Sequence, residues 1–180
     1  MRLFVTGHDD SGTSQFLHEN ELSPTQRPAF PNLSNTAIWE APSLPELPFR
    51  GDRFVLPTFF PQSGQFRFFY LTIDPDSTAT HEPTAHELAD FDQAFPGLLS
   101  VYEPDVPGMH TTDTVDFISV LSGQIVLDLG AGGERTLQAG DALVQHGARH
   151  RWRNDFDEPA SLVVFMAGVD RPADGQLATD

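Results

Sequence analysis

The chain has 180 residues and a formal net charge of −16, and it contains no cysteine and no lysine, so every basic residue is an arginine. Disulfides, thiolate nucleophiles, cysteine-held metals and lysine Schiff-base chemistry are therefore excluded. So acidic a surface repels nucleic acid and anionic membranes.

The length suits one domain with a real core. Fifteen prolines and fourteen glycines imply many turns and short elements, which favours β structure. In chain order, residues 2–6 (RLFVT) read as a short strand stopped by Gly7. Residues 20–35, rich in Pro, Asn and Ser, read as an irregular arm. Residues 36–42 (TAIWEAP) are β-prone, 43–52 are loop, and the apolar run 54–60 is broken by Pro57. Residues 64–73 (GQFRFFYLTI) are the strongest strand of the first half, with Phe66, Phe68 and Tyr70 on one face and Arg67, Phe69 and Leu71 on the other.

Residues 80–95 break this pattern and predict one helix. Thr84 is its N-cap, Glu87 stands at capping-box spacing, and Leu88, Phe91 and Phe95 recur at helical intervals. From 100 to 169 the strand candidates are SVYEP, TVDFISVL, QIVLDLG, ERTLQ, DALVQ, HRWRN and SLVVFMAG, separated by glycines or polar turns. Short, evenly spaced strands of this kind make an antiparallel sandwich or barrel, an all-β fold with one short helix. No apolar run reaches membrane-spanning length, and the MRLFVTGHDD start has no apolar leader core, so a cytoplasmic protein is expected.

Two stretches carry the chemistry. In GMHTTDTVDFISVLSG (108–123), His110, Thr112, Thr114, Asp116 and Ile118 fall at alternate positions and so share a strand face. In GDALVQHGARHRWRN (140–154), His150 follows a glycine turn, and Arg149, Arg151 and Arg153 alternate. His110, Asp116 and His150 are the candidate catalytic residues. They also form a two-histidine, one-carboxylate set suited to a divalent metal with open positions. Thr112, Thr114 and Trp152 are the candidate substrate-binding residues. The three arginines read either as a carboxylate-recognition cluster or as surface pairs with Asp155, Asp157 or Glu158. His8, His18, His81, His86 and His146 read as surface residues, and Asn154 as a strand-end brace. The phenylalanines of 59–69 fill the sandwich or a dimer interface, or make a pocket apolar.

These two stretches resemble the paired motifs of the cupin superfamily. His110, Thr112, Asp116 and Gly123 stand at the first motif's His, second His, Glu and Gly positions. Gly140-Asp141, Gln145-His146-Gly147, His150 and Asn154 stand at the second motif's positions, with Gln145 in place of its proline. The run from His110 to Phe117 resembles, more narrowly, a subgroup of cupins of the Cupin_2 type. The resemblance implies a double-stranded β-barrel, or jelly roll. Residues 64–170 would form the barrel, 1–63 an arm and extra strands packed on it, and 171–180 a flexible tail. It further implies a metal among Zn, Fe, Mn and Ni inside the barrel, with Thr112 replacing one histidine and Asp116 reaching one methylene less far than Glu.

Three functional readings stay open. In one, the chain is an enzyme, a lyase, isomerase or cyclase, or an oxygenase if the metal is iron. Its substrate is a small organic molecule, for example a carboxylate or phenol, bound in the barrel, with or without metal. In the second, the same pocket binds or senses a small molecule without turnover. In the third, the chain is a structural or interaction protein with a vestigial pocket. A homodimer is expected from the resemblance and the fold's exposed strand edges.

Overall fold

The computed structural model describes residues 1–79 and 81–172, so the expected tail lies, from residue 173 on, outside the described residues. Eleven strands, β1 (Arg2–His8), β2 (Ser14–Glu21), β3 (Thr25–Arg27), β4 (Phe30–Ala41), β5 (Phe66–Ile73), β6 (Thr114–Ser122), β7 (Gln124–Asp128), β8 (Glu134–Gln138), β9 (Ala142–His146), β10 (Arg151–Arg153) and β11 (Ala160–Gly168), and one helix, α1 (Ala85–Ala94), make up the regular structure. The strands form a six-stranded antiparallel sheet in the order β3-β4-β5-β11-β6-β9, a three-stranded sheet β10-β7-β8, and a separate hairpin β1-β2. The fold is all-β, a jelly roll whose two larger sheets face each other without closing into one hydrogen-bonded ring.

Alternation builds the core between those sheets. Along β6 the buried positions are Thr114, Asp116, Ile118 and Val120, while Phe117 and Leu121 face out. Along β11 Ala160, Leu162, Val164 and Met166 point inward, and Phe69 and Ile73 of β5 meet them. Ile125 of β7 and Trp152 of β10 pack from the opposite sheet. Helix α1 covers one end of the sandwich with Phe91, which is wholly buried and packs edge-on to Phe30 at 4.7 Å between ring centres.

The capping box stands as expected: the Thr84 hydroxyl accepts from the Glu87 N–H at 3.3 Å, and the Glu87 carboxylate accepts from the Thr84 N–H at 2.8 Å. The helix runs from Ala85 to Ala94, inside the expected 80–95, its start fixed by this cap. Residues 20–35 are largely strand rather than irregular arm: β2, β3 and the twelve-residue β4 run through them. β4 takes its register from β5, with which it pairs from Leu33 to Ala41, a long-range partner that overrides local turn composition; β3 pairs with β4, and β2 with β1. Residues 100–104 form no strand: a 3₁₀ turn over Leu99–Val101 leads to Tyr102, which makes one isolated bridge to His110. Among the described residues no helix is long and apolar enough to cross a membrane.

Candidate functional site

Between the two sheets lies a cavity of about 410 Å³, a size typical of small-molecule sites. Its walls are mostly apolar, with Phe59, Phe60, Phe69, Leu98 and Met166 among them. This gives the phenylalanine-rich 59–69 stretch its place: Phe59, Phe60 and Phe69 are cavity wall. The polar side chains on that wall include His110, His150, Asp116, Thr112, Tyr102 and Glu103.

His110 and His150 are brought together by their backbones. Each donates its N–H to the other's carbonyl at 2.9 Å, an isolated antiparallel bridge, and their rings stand 4.2 Å apart. Both rings are anchored the same way. Nδ1 of His110 lies 2.9 Å from the Gly108 carbonyl, and Nδ1 of His150 lies 2.8 Å from the Ala148 carbonyl. A carbonyl only accepts, so in both rings Nδ1 carries the proton and Nε2 keeps a lone pair. Burial holds both histidines below the usual imidazole range. His150 is pushed down to about 3, first by burial and then by the neighbouring His110.

Asp116 is 3% exposed, and burial pushes its carboxyl up to about 6, against the pull of hydrogen bonds from Thr114 and Gln145. Its Oδ1 is buried without a protein partner. Gln145, directly opposite Asp116 across the β6–β9 ladder, is 4% exposed and places its amide nitrogen 3.0 Å from Nε2 of His150. Gln145 thus sits between the carboxylate and one imidazole, fixing the His150 lone pair and leaving that of His110 free. Sequence reading saw Gln145 only as a replaced proline. Its signal is a polar residue at an inward position of β9.

The sequence-predicted residues separate accordingly. His110, Asp116, His150, Thr112 and Trp152 line the cavity. Thr114 does not: it is 1% exposed and its hydroxyl is hydrogen-bonded to that of Thr112 at 2.8 Å, so it braces Thr112 from behind. Trp152 stands edge-on to His150, 6.1 Å between ring centres. The trio His110, Asp116 and His150 is not gathered into one ligand set: among the described residues no three His, Asp or Glu side chains are close enough to hold one ion. The protein's donors at this point are two imidazoles, and Gln145 occupies the lone pair of one. That does not fit a three-ligand metal centre.

The arginine cluster resolves into ion pairs. Arg149 donates two hydrogen bonds to the Glu103 carboxylate, both at 2.6 Å. Arg151 pairs with Asp128 at 2.8 Å, and Arg153 with Asp155, Glu134 and Asp128. None of the three lines the cavity. Asn154, 1% exposed, donates to the carbonyls of Ile73 and Glu158 and accepts from the Phe156 N–H, the brace expected of it. Sequence reading missed Tyr102 and Glu103, which it assigned to a strand. Tyr102 lies edge-on to His110, 5.3 Å between centres, and burial pushes its phenol up to about 12, so it stays protonated.

Two facing antiparallel sheets around a histidine-bearing cavity define a jelly-roll class. Residues 98–166 match the family model of the cupin domain, Cupin_2. Over 71 residues it is 39% identical to phomopsin biosynthesis cluster protein C' of Diaporthe leptostromiformis, a match covering 38% of each chain. It is 36% identical over 62 residues to a cupin-domain-containing oxidoreductase of Neurospora crassa, covering 34% of this chain and 32% of that one. These matches thus span about a third of the length of the curated relatives. Among solved structures, it is similar to the Schizosaccharomyces pombe Cnp3 cupin domain at 9% identity and a TM-score of 0.46, covering 93% of this chain and 87% of that one.

Proposed function

We propose that this protein is an enzyme that binds a small organic molecule inside the barrel and moves a proton on it, in a reaction of the lyase, isomerase or cyclase kind. One observation carries the reading: a mostly apolar cavity has a free imidazole lone pair, a phenol and a buried carboxylate on its wall. The Gly108 carbonyl holds the ring of His110, so Nε2 is the base that takes a proton from the substrate. The Tyr102 hydroxyl, which stays protonated, donates a hydrogen bond to a substrate oxygen gaining charge. Asp116, with its pKa near 6, exchanges a proton with substrate close to neutrality. Gln145 and Thr114 hold His150 and Thr112 in place. The apolar walls keep bulk water from the reacting group. None of these steps requires a metal.

The relatives named for biosynthetic clusters support a small organic substrate, and the relative named an oxidoreductase is the reason to test metal loading as well. The experiment incubates metal-stripped protein, and protein loaded separately with Zn, Fe, Mn or Ni, with a small-molecule extract in deuterated water, read by mass spectrometry. The expected result is a metabolite that gains deuterium or changes mass with the stripped protein and not with His110→Ala. Turnover by loaded protein alone would overturn the metal-free reading. A metabolite retained but never changed would overturn catalysis and leave a binding protein.

A further inference from the structure

The cavity's charge inventory selects the substrate's head group. The chain has no lysine, and none of its ten arginines lines the cavity. Arg149, whose partner Glu103 is itself a wall residue, has its guanidinium fork filled by that carboxylate. Arg67 is buried against Glu40 at 3.2 Å and stacks over Phe59, on the far side of a cavity wall residue. The ionisable acids on the wall are Asp76, Glu103 and Asp116. The bases there are two imidazoles 4.2 Å apart, too close for both to carry a charge in a buried setting. An anion entering this space sheds its water beside Asp116 and gains no cation in return.

The acceptor side is the opposite. Oδ1 of Asp116 is buried with no protein donor, and Nε2 of His110 keeps its lone pair. The His110 lone pair on the cavity wall takes a donor from whatever fills the cavity, and the carboxylate of Asp116 on the same wall favours a donor over an anion. The body of the ligand meets aromatic and branched side chains such as Phe60, Phe69, Leu71 and Val164.

Building on the enzyme reading above, we infer that the substrate is an apolar molecule headed by a hydrogen-bond donor that is neutral or cationic, an alcohol, a phenol or an amine, and that carboxylates and phosphates are rejected. Of the two substrate types suggested by the sequence, the phenol is retained and the carboxylate dropped. The arginine cluster that prompted the carboxylate is spent on surface ion pairs.

The test uses four probes of one shape: 2-naphthol, 2-naphthylmethylamine, naphthalene and 2-naphthoate, titrated into the full chain at neutral pH by calorimetry. The naphthol and the amine should bind at least tenfold more tightly than the naphthoate, with naphthalene between. In Asp116→Asn, which keeps the side chain's shape and removes its charge, the naphthol-to-naphthoate preference should shrink severalfold. A naphthoate as tight as the naphthol, or a preference unmoved by Asp116→Asn, overturns the head-group inference while the cavity stands. Failure of all four, naphthalene included, overturns the cavity reading itself, and this inference with it. Circular dichroism of the variant separates lost binding from lost folding.

Discussion

Asp116→Asn tests the electrostatics of the site without any knowledge of the substrate. The folded carboxyl titrates near 6 against 3.8 for the free side chain, and burial is the cause. A carboxyl raised in this way favours folding fully below the unfolded value and loses that contribution as pH climbs through the folded one. At 1.36 kcal/mol per pH unit, the loss between pH 4 and pH 7.5 comes to about 2–3 kcal/mol. Asparagine cannot ionise, so the variant lacks this loss. For a chain of this length that difference is roughly 5–10 °C in melting temperature. Thermal unfolding by circular dichroism from pH 4 to pH 8 should show the two proteins closest at pH 4, with the variant gaining up to about pH 6 and the gap then holding level. Parallel curves would refute the argument. They would mean that Asp116 is ionised without penalty, hence solvated or paired in a way its 3% exposure and unpartnered Oδ1 contradict.

Other expectations follow from particular contacts. In ¹⁵N spectra, His110 and His150 should both show a protonated Nδ1 and a bare Nε2 at pH 7, and His150 should stay neutral down to pH 5. A protonated Nε2 on His110 would remove the free base, and one on His150 would break its bond from Gln145. Thr84→Ala removes the side-chain half of the capping box, the hydroxyl that accepts from the Glu87 N–H, and should cost about 1 kcal/mol in urea unfolding, with the barrel's probe binding unchanged. Glu40→Ala strands the buried Arg67 guanidinium and should cost about 3–5 kcal/mol in the same assay; a loss below 1 kcal/mol would show that the pair is open to water. Gly123→Ala places a methyl against the Pro159 carbonyl at a φ of +73°, and should lower expression and melting temperature together, because the turn from β6 to β7 has no room to move aside.

The sequence by itself determined most of the second half of the chain. Alternation from Thr114 to Leu121, from Leu162 to Met166 and through the short strands between them is a local property, and glycines with positive φ at 123, 140 and 147 punctuate it, so β6 to β11 and α1 stood close to where they were expected. Period 2 also put His110 and Asp116 on one face, and the resemblance joined His150 to them; all three line the cavity.

What only the tertiary structure decided is who stands next to whom. β4 depends on pairing with β5, a partner far along the chain that turn-rich local composition hides, and β3 then pairs with β4. The site's finer character rests on cross-strand and loop neighbours. Gln145 faces Asp116 only through the β6–β9 register, and Tyr102 meets His110 only through a single bridge. Thr114 turned from substrate contact to brace because the Thr112 hydroxyl lies 2.8 Å away. The arginines left the site for carboxylates on β7, β8 and the 102–110 loop. Charge pairing and desolvation act through space, so a one-dimensional pattern names the groups, and the packed chain decides which of them stay charged and which remain free to act.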